Sequence, residues 1–361
     1  VIALVVALCL AGAAVDGGPS KAVTLAAAGD VTLGYHFEEY VDLRLDGGTW
    51  GDGGTDGGKA SLEEMLQYPF AGVQSVLSGA DIAVVNLECP FTARGEKIEK
   101  NFNFRARPEL AGALVSPGID VVTLANNHLM DYGPEGITDT IAALDAIHVA
   151  HFGAGKNLAE ARKPALLTRN GLRFAFLGYL YIGEKPIEPL VVWAKQDKPG
   201  VAGAGGDLAS LLAMMKQDIR AAHKQAEVVV VYFHHGKEAQ HEIMPYEATL
   251  AHAAIDDGAN LVLGSHPHVL QGAERYHGVP VVYSLGNFVF GGNADPRNKE
   301  SAIFTATFTD GKVTAADFVP VQITRVPEAP FQPFVLEGEN ARAVRAHLVD
   351  YSSAFPEPLL K

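Results

Sequence analysis

Five histidines and several carboxylate and amide side chains stand where apolar runs end, and that placement suits chemistry. Gly264-Ser265-His266-Pro267-His268 follows Leu261-Val262-Leu263, which reads as a buried strand. Two imidazoles two residues apart, joined by a proline that fixes one backbone dihedral, form a pair of metal ligands. His234-His235-Gly236 follows the run Val228 to Phe233. Neighbouring side chains on an extended chain point to opposite sides, so one of these two is a ligand. The other is a supporting group or faces the surface. Ala125-Asn126-Asn127-His128-Leu129-Met130-Asp131 follows Val121 to Leu124. An amide oxygen such as that of Asn127 can ligate a cation, and His128 beside it can serve as ligand or proton donor. Asp131 is expected to cap the helix that follows. His223, His241, His252 and His277 lack a strand-end setting and are expected at the surface.

Two carboxylates complete the set. Gly29-Asp30 directly follows the first strand, where a carboxylate points into the crevice in which open α/β sheets bind ligands; capping of the next element is the plainer reading. In Asn86-Leu87-Glu88, Asn86 and Glu88 share a side of a second strand end if the strand continues. The ligands are a mixture of oxygen and nitrogen, with no Cys₄ or Cys₂His₂ pattern of structural zinc. Such a set suits Mn, Fe or Zn, as one ion or a pair. Two metals about 3.5–4 Å apart can bridge a hydroxide and clamp an anionic oxygen.

The elements that must position these residues alternate. Further strands are expected at Ile82 to Val85, Phe174 to Leu177 and Val281 to Tyr283, apolar on both faces as covered strands are. Helices are expected over Pro134 to Ala146, Leu208 to Ala226 and Tyr246 to Asp256. The runs Ala302 to Phe308 and Val313 to Val321, joined at Asp310-Gly311, read as a hairpin. The fold class is therefore α/β with mixed sheets, in one catalytic domain over residues 21–325. Residues 326–361 form a C-terminal extension that packs on it through a helix near Ala341 to Leu348. The Gly/Asp-rich stretch from Asp46 to Gly58 cannot pack a core and reads as a loop.

The chain has 361 residues and a formal net charge of −14, which argues against nucleic acid as a partner. An anionic substrate remains compatible, because a metal reverses the local field. Residues 1–20 carry an almost continuous apolar run from Val1 to Ala14, then Asp16-Gly17-Gly18-Pro19. They read as a signal peptide or N-terminal anchor. The expected location is exported, periplasmic or membrane-anchored on the extracytoplasmic side. Of the two cysteines, Cys9 lies in that segment, so its removal leaves Cys89 with no intrachain partner.

With these segments in view, the chain resembles the CapA/PgsA capsule-synthesis proteins, linked to poly-γ-glutamate and similar to calcineurin-like metallophosphoesterases. The stretches that carry the resemblance are Gly29-Asp30-Val31, Asn86-Leu87-Glu88, Phe102 to Pro108, Ala125 to Gly133, Phe233 to Gly236, Gly264 to Glu274 and Tyr283 to Phe288, in the family's order. The resemblance implies a four-layer sandwich, two stacked mixed β-sheets flanked by helices. It implies Asp30, Glu88, Asn127, His234, His266 and His268 as metal ligands, with Glu88 bridging. It implies that His128 aids phosphate binding or protonates the leaving group. Arg105 and Asn126 are assigned to substrate contact. The implied substrate is an anionic polymer or a phosphoester, and the implied partners are membrane polyglutamate synthase subunits. A phosphoesterase reading competes with a capsule role, and so does a non-catalytic accessory subunit. One departure stands out. Phosphoesterases begin with Asp-x-His, but Thr32 occupies the histidine position here, and His36 is at the wrong spacing to replace it.

Overall fold

A computed structural model describes residues 21–50, 58–184 and 192–361. The apolar leader and part of the Gly/Asp-rich stretch lie outside the described residues. The strands run β1 Ala22–Thr32, β2 Ile82–Leu87, β3 Val121–Thr123, β4 Ala150–Phe152, β5 Ala154–Gly155, β6 Ala165–Arg169, β7 Leu172–Tyr181 and β8 Gly200–Val201. They continue as β9 Val228–His235, β10 Leu261–Ser265, β11 Ala273–Tyr276, β12 Val279–Val282, β13 Asn287–Phe290, β14 Glu300–Thr309, β15 Lys312–Gln322 and β16 Phe334–Val335.

Two large sheets form. One has the order β16-β15-β14-β1-β2-β3-β4, with β13 also paired to β1; the other has the order β11-β12-β10-β9-β7-β6. The first is parallel through β1 to β4 and antiparallel at β14 and β15. The second is parallel through β7, β9, β10 and β12, with antiparallel β6 and β11 at its edges. The expected hairpin is β14–β15.

Side-chain parity decides the layers. Val23, Leu25, Ile82 and Val84 from one sheet meet Phe174, Phe176, Val228, Val230, Leu261 and Leu263 from the other in one core. The opposite faces pack on helices. Ala83, Val85 and Leu87 lie with Ile137 and Leu144 of the helix Pro134–Ala146. Val229, Val231 and Phe233 lie with Leu211, Met215 and Ile219 of the helix Leu208–Ala222 and Leu250 and Ala254 of the helix Pro245–Asp256. Each such fully buried apolar side chain is worth roughly 1.5–3 kcal/mol. The result is helix, sheet, sheet, helix, the four-layer sandwich. The helix Gly338–Ser352 adds Val344 and Leu348 to the inter-sheet core.

One irregularity positions the chemistry. Ala26 and Ala28 of β1 face the outer helices, but beyond Asp30 it is Val31 and Leu33 that do. The pairing of β1 with β2 slips between Ala27 and Asp30. This extra residue turns Asp30 from the helix-covered face to the gap between the sheets, as a bulge does. Gly29 permits it, since a Cβ there would collide with the Gly286 carbonyl oxygen.

Candidate metal centre

The same parity carries the other side chains to one rim of the gap. Asn86 and Glu88 follow the inward Ile82 and Val84, His234 follows the inward Val230 and Tyr232, and Ser265 follows Leu261 and Leu263. All leave the C-terminal ends of parallel strands, so two sheets place their polar ends together. The Tyr232 hydroxyl ties the sheets just beneath by donating to the Ala28 carbonyl at 3.1 Å. His266 and His268 follow with backbone φ of 102° and 59°, a region disfavoured for residues with a Cβ, which points to a geometry imposed by the site.

Asp30, Glu88, Asn127, His234, His266 and His268 come together, and so does His128 beside them. Asp30, Glu88 and His234 offer atoms close enough to share an ion, as do Glu88, His266 and His268. His234 Nε2 lies 2.8 Å from Asn127 Oδ1, 3.0 Å from His266 Nδ1 and 3.3 Å from Glu88 Oε1. A ring nitrogen carries at most one hydrogen and can serve only one of these three lone pairs. Glu88 is fully buried, and among the described residues its oxygens meet only the His234 ring, at 3.3 Å, with no well-formed hydrogen bond. Buried carboxylates without donors cost several kcal/mol unless a cation serves them. The donor set therefore fits a divalent cation.

The electrostatics agree. Burial raises the Glu88 pKa, and the Asp30 charge adds to the rise. Burial also pushes the His266 imidazole well below its usual range, reinforced by the neighbouring imidazoles. His268 moves the other way: desolvation alone would lower it, but the Glu88 and Asp30 charges push it up to about 10. Asp30 is held below the usual carboxylate range; burial opposes this, and the bond and charge of His268 overcome it.

Asn86 organises the cluster. Its Nδ2 donates to Asp30 Oδ1 at 2.8 Å and lies 3.2 Å from His234 Nδ1. Ser265 Oγ is 3.3 Å from the same Nδ1 and can hold its proton when Nε2 faces a cation. Asn126, expected at the substrate, is buried instead. Its Nδ2 donates to Asn86 Oδ1 and the Leu87 carbonyl, and its Oδ1 accepts from the backbone of His128 and Leu129. It braces the loop.

Asp131 does not cap the helix Pro134–Ala146, whose N-cap is Gly133. It is buried, 2.7 Å from His128 Nδ1 and 3.0 Å from Lys100 Nζ, and it accepts from the Phe104 amide. Phe104 also lies against the His128 ring at 4.2 Å. Asp131 and the Phe104 ring thus orient His128 on the wall of a cleft of about 200 Å³, bordered by Lys100, Phe102 and Glu238. Lys100 did not stand out in the sequence, because it belongs to a charged loop, and Asp131 read as a helix cap rather than as a partner of His128.

Other residues lie apart. Arg105 is exposed, stacked 4.2 Å over the Tyr132 ring, in a separate depression with Glu38 and Asp42. His36 pairs with Glu39 at 2.8 Å and does not enter the cluster. Thr32 is buried, and its hydroxyl donates to the Glu88 carbonyl at 3.5 Å. His235 points to the outer face, neither ligand nor surface group; its Nε2 meets the Tyr283 carbonyl at 3.1 Å, and burial lowers its pKa to about 4. Three of the four histidines expected at the surface form hydrogen bonds. His223 meets the Gly258 carbonyl, His241 meets the Leu270 carbonyl and stacks on Tyr351, and His252 meets Glu274 and stacks on Tyr276. Asn287, given no role from sequence, lies 2.9 Å from His268 Nδ1 through its Oδ1.

A two-sheet sandwich with histidines and carboxylates gathered at its strand ends defines the class: an α/β protein with a candidate metal centre. Residues 24–292 match the family described as bacterial capsule synthesis protein PGA_cap, and the chain belongs to that family. It is 31% identical over 310 residues to the capsule biosynthesis protein CapA of Bacillus anthracis, covering 84% of this chain and 68% of that one. It is 28% identical to the PGA biosynthesis protein CapA of Bacillus subtilis (strain 168), covering 84% and 72%. It is 30% identical to a probable polyglutamine synthesis accessory protein of Mycobacterium tuberculosis, covering 74% and 73%. Among solved structures, a hypothetical protein from Thermus thermophilus aligns over 83% of this chain and 99% of its own, with 15% identity and a TM-score of 0.45. No helix among the described residues is long and apolar enough to cross a membrane.

Proposed function

We propose that this chain acts in capsular poly-γ-glutamate synthesis or export, through a strand-end centre that holds one or two divalent cations of Mn, Fe or Zn and hydrolyses an ester of an anionic substrate. The observation that carries this reading is Glu88: a fully buried carboxylate whose oxygens find no well-formed hydrogen bond among the described residues, ringed by His234, His266, His268 and Asp30. Glu88, Asp30, Asn127, His234, His266 and His268 would hold the cation. The cation, when bound, supplies a Lewis acid and a water that ionises near neutral pH. The protein's own groups do the rest. Asn86 and Asn126 hold the ligands in register, which limits reorganisation during reaction. His128, its Nδ1 held by Asp131, presents Nε2 for a proton donated to the leaving oxygen. Lys100 offsets the Asp131 charge and lines the cleft.

The test is metal analysis of purified protein together with a Mn²⁺-supplemented assay on a generic phosphodiester. Bound metal and turnover that both vanish in His266→Ala support the reading. A protein that takes up no metal at any concentration sinks it.

Thr32 favours a second reading, an accessory subunit of a membrane-bound polyglutamate synthase. With threonine where phosphoesterases place a ligand, the fold could serve as a binding surface. The Mycobacterium tuberculosis relative is named as an accessory protein. Export to the extracytoplasmic side would place either activity beside such a synthase. A metal-loaded protein that turns over no ester, yet is needed for polymer formation by the membrane fraction, favours this reading over hydrolysis.

A further inference from the structure

The proposed centre lacks one ligand in the sequence pattern, and the fold brings another donor beside Asp30. We infer that Asn287 is a metal ligand, supplying through Oδ1 the donor that Thr32 cannot; this rests on the metal-site reading above. Two clusters of lone pairs surround Glu88. Around His234 Nε2 gather Asn127 Oδ1, His266 Nδ1 and Glu88 Oε1. Around His268 Nδ1 gather Asn287 Oδ1 at 2.9 Å, Asp30 Oδ2 at 3.3 Å and Glu88 Oε2 at 4.0 Å. The single hydrogen of that imidazole nitrogen cannot serve three acceptors. Each Glu88 oxygen faces one cluster, so the carboxylate stands between two sets of four donors.

The backbone explains why Asn287 is there. β13 lies parallel to β1 with Asp30 opposite Asn287, and facing residues in register project to the same side. The Asp30 amide donates to the Gly286 carbonyl at 2.9 Å, which locks the pairing. The register then slips between Asp30 and Val31, so that Val31 faces Val289. A bulge at this point re-aims side chains toward the site. Asn287 is nearly buried, and an amide oxygen is a competent donor to Mn or other hard cations. Thr32, by contrast, spends its hydroxyl on the Glu88 carbonyl.

Calorimetric titration with Mn²⁺, with bound metal counted by elemental analysis, tests the assignment. Wild type is expected to take two equivalents. Asn287→Ala should keep the tighter one and weaken the other at least about tenfold, while Asn287→Asp keeps both. The retained equivalent and the Asp variant show that the fold survives. To separate ligation from mere support of His268, H268A is compared with the H268A/N287A double variant. A further loss of about tenfold or more in the double variant supports direct ligation. Identical titration of those two proteins, or an N287A protein that binds like wild type, overturns the assignment while leaving the metal site standing. A wild-type protein that binds no Mn²⁺, Fe²⁺ or Zn²⁺ overturns the metal site itself and this assignment with it.

Discussion

Glu88 and Glu247 are both fully buried carboxylates whose pKa burial raises, yet Glu88 faces the gap between the sheets and Glu247 packs on the outer side of the second sheet. The neighbours of Glu88 are imidazoles and another carboxylate. Glu247 lies in the first turn of the helix Pro245–Asp256, where one oxygen accepts the Met244 amide at 2.6 Å. A helix N-terminus offers donors and a favourable dipole, so a carboxylate there serves the fold. A carboxylate surrounded by lone pairs serves the fold badly and serves a cation well. Adjacent residues repeat the contrast: His234 enters the cluster, while His235 packs outward beside Phe233 and the Tyr283 carbonyl.

The largest effect should come from Glu88→Gln. Metal affinity should fall at least ~100-fold, while the metal-free protein should lose little stability, because burial already disfavours the Glu88 charge. Calorimetry with Mn²⁺ and urea denaturation in chelator measure the two halves. An unchanged affinity, or a large loss of metal-free stability, would erase the distinction from Glu247.

Glu247→Gln should act through pH instead. In the folded chain Glu247 holds its proton up to about pH 7, against 4.5 ordinarily, with burial as the main cause. The folded state therefore binds more protons between these values. Wild-type stability is greatest below pH 4.5 on this account and declines as pH rises through 7. The total decline should reach at most about 3 kcal/mol. Urea midpoints should show Glu247→Gln equal to wild type at acid pH and more stable at pH ~8, with Mn²⁺ uptake intact. Parallel pH profiles for the two proteins would refute this.

His235→Ala should cost about 2 kcal/mol through the lost packing and leave Mn²⁺ uptake intact, whereas His234→Ala should abolish uptake. Equal losses of uptake would show that the two faces are not independent. The smallest effect is expected at Arg105→Glu. The guanidinium is exposed and stacked on Tyr132, so stability should change by no more than about 1 kcal/mol. If Arg105 steers an anionic substrate, KM rises and kcat holds; an unchanged KM removes it from the substrate path.

Much of this centre was legible before folding, for a local reason. An apolar run followed abruptly by Asp, Asn or His marks the end of a buried strand, and alternation then names the inward residue. That logic placed Asn86 with Glu88 and turned only one of His234 and His235 toward the cluster. It fails where alternation is broken. Strict alternation would turn Asp30 outward with Ala26 and Ala28, and only the slip against β2 brings it in. It fails also for side chains whose partners are distant in sequence. Asp131 reads as a helix cap because the Phe104 amide and Lys100 come from a remote loop. Asn126 reads as a substrate contact because Leu87 and Asn86, which consume its amide, lie on another strand.

The sequence by itself determined the α/β class, the strand ends that carry polar groups and the donor types available for a cation. Those follow from periodicity and residue chemistry, which are short-range. The tertiary structure alone decided that β1, β2, β3, β9 and β10 end at one rim, that a bulge turns Asp30 inward and that β13 delivers Asn287 opposite it. Sheet order and register are set by pairing between segments as far apart as Asp30 and Asn287, so no local pattern encodes them.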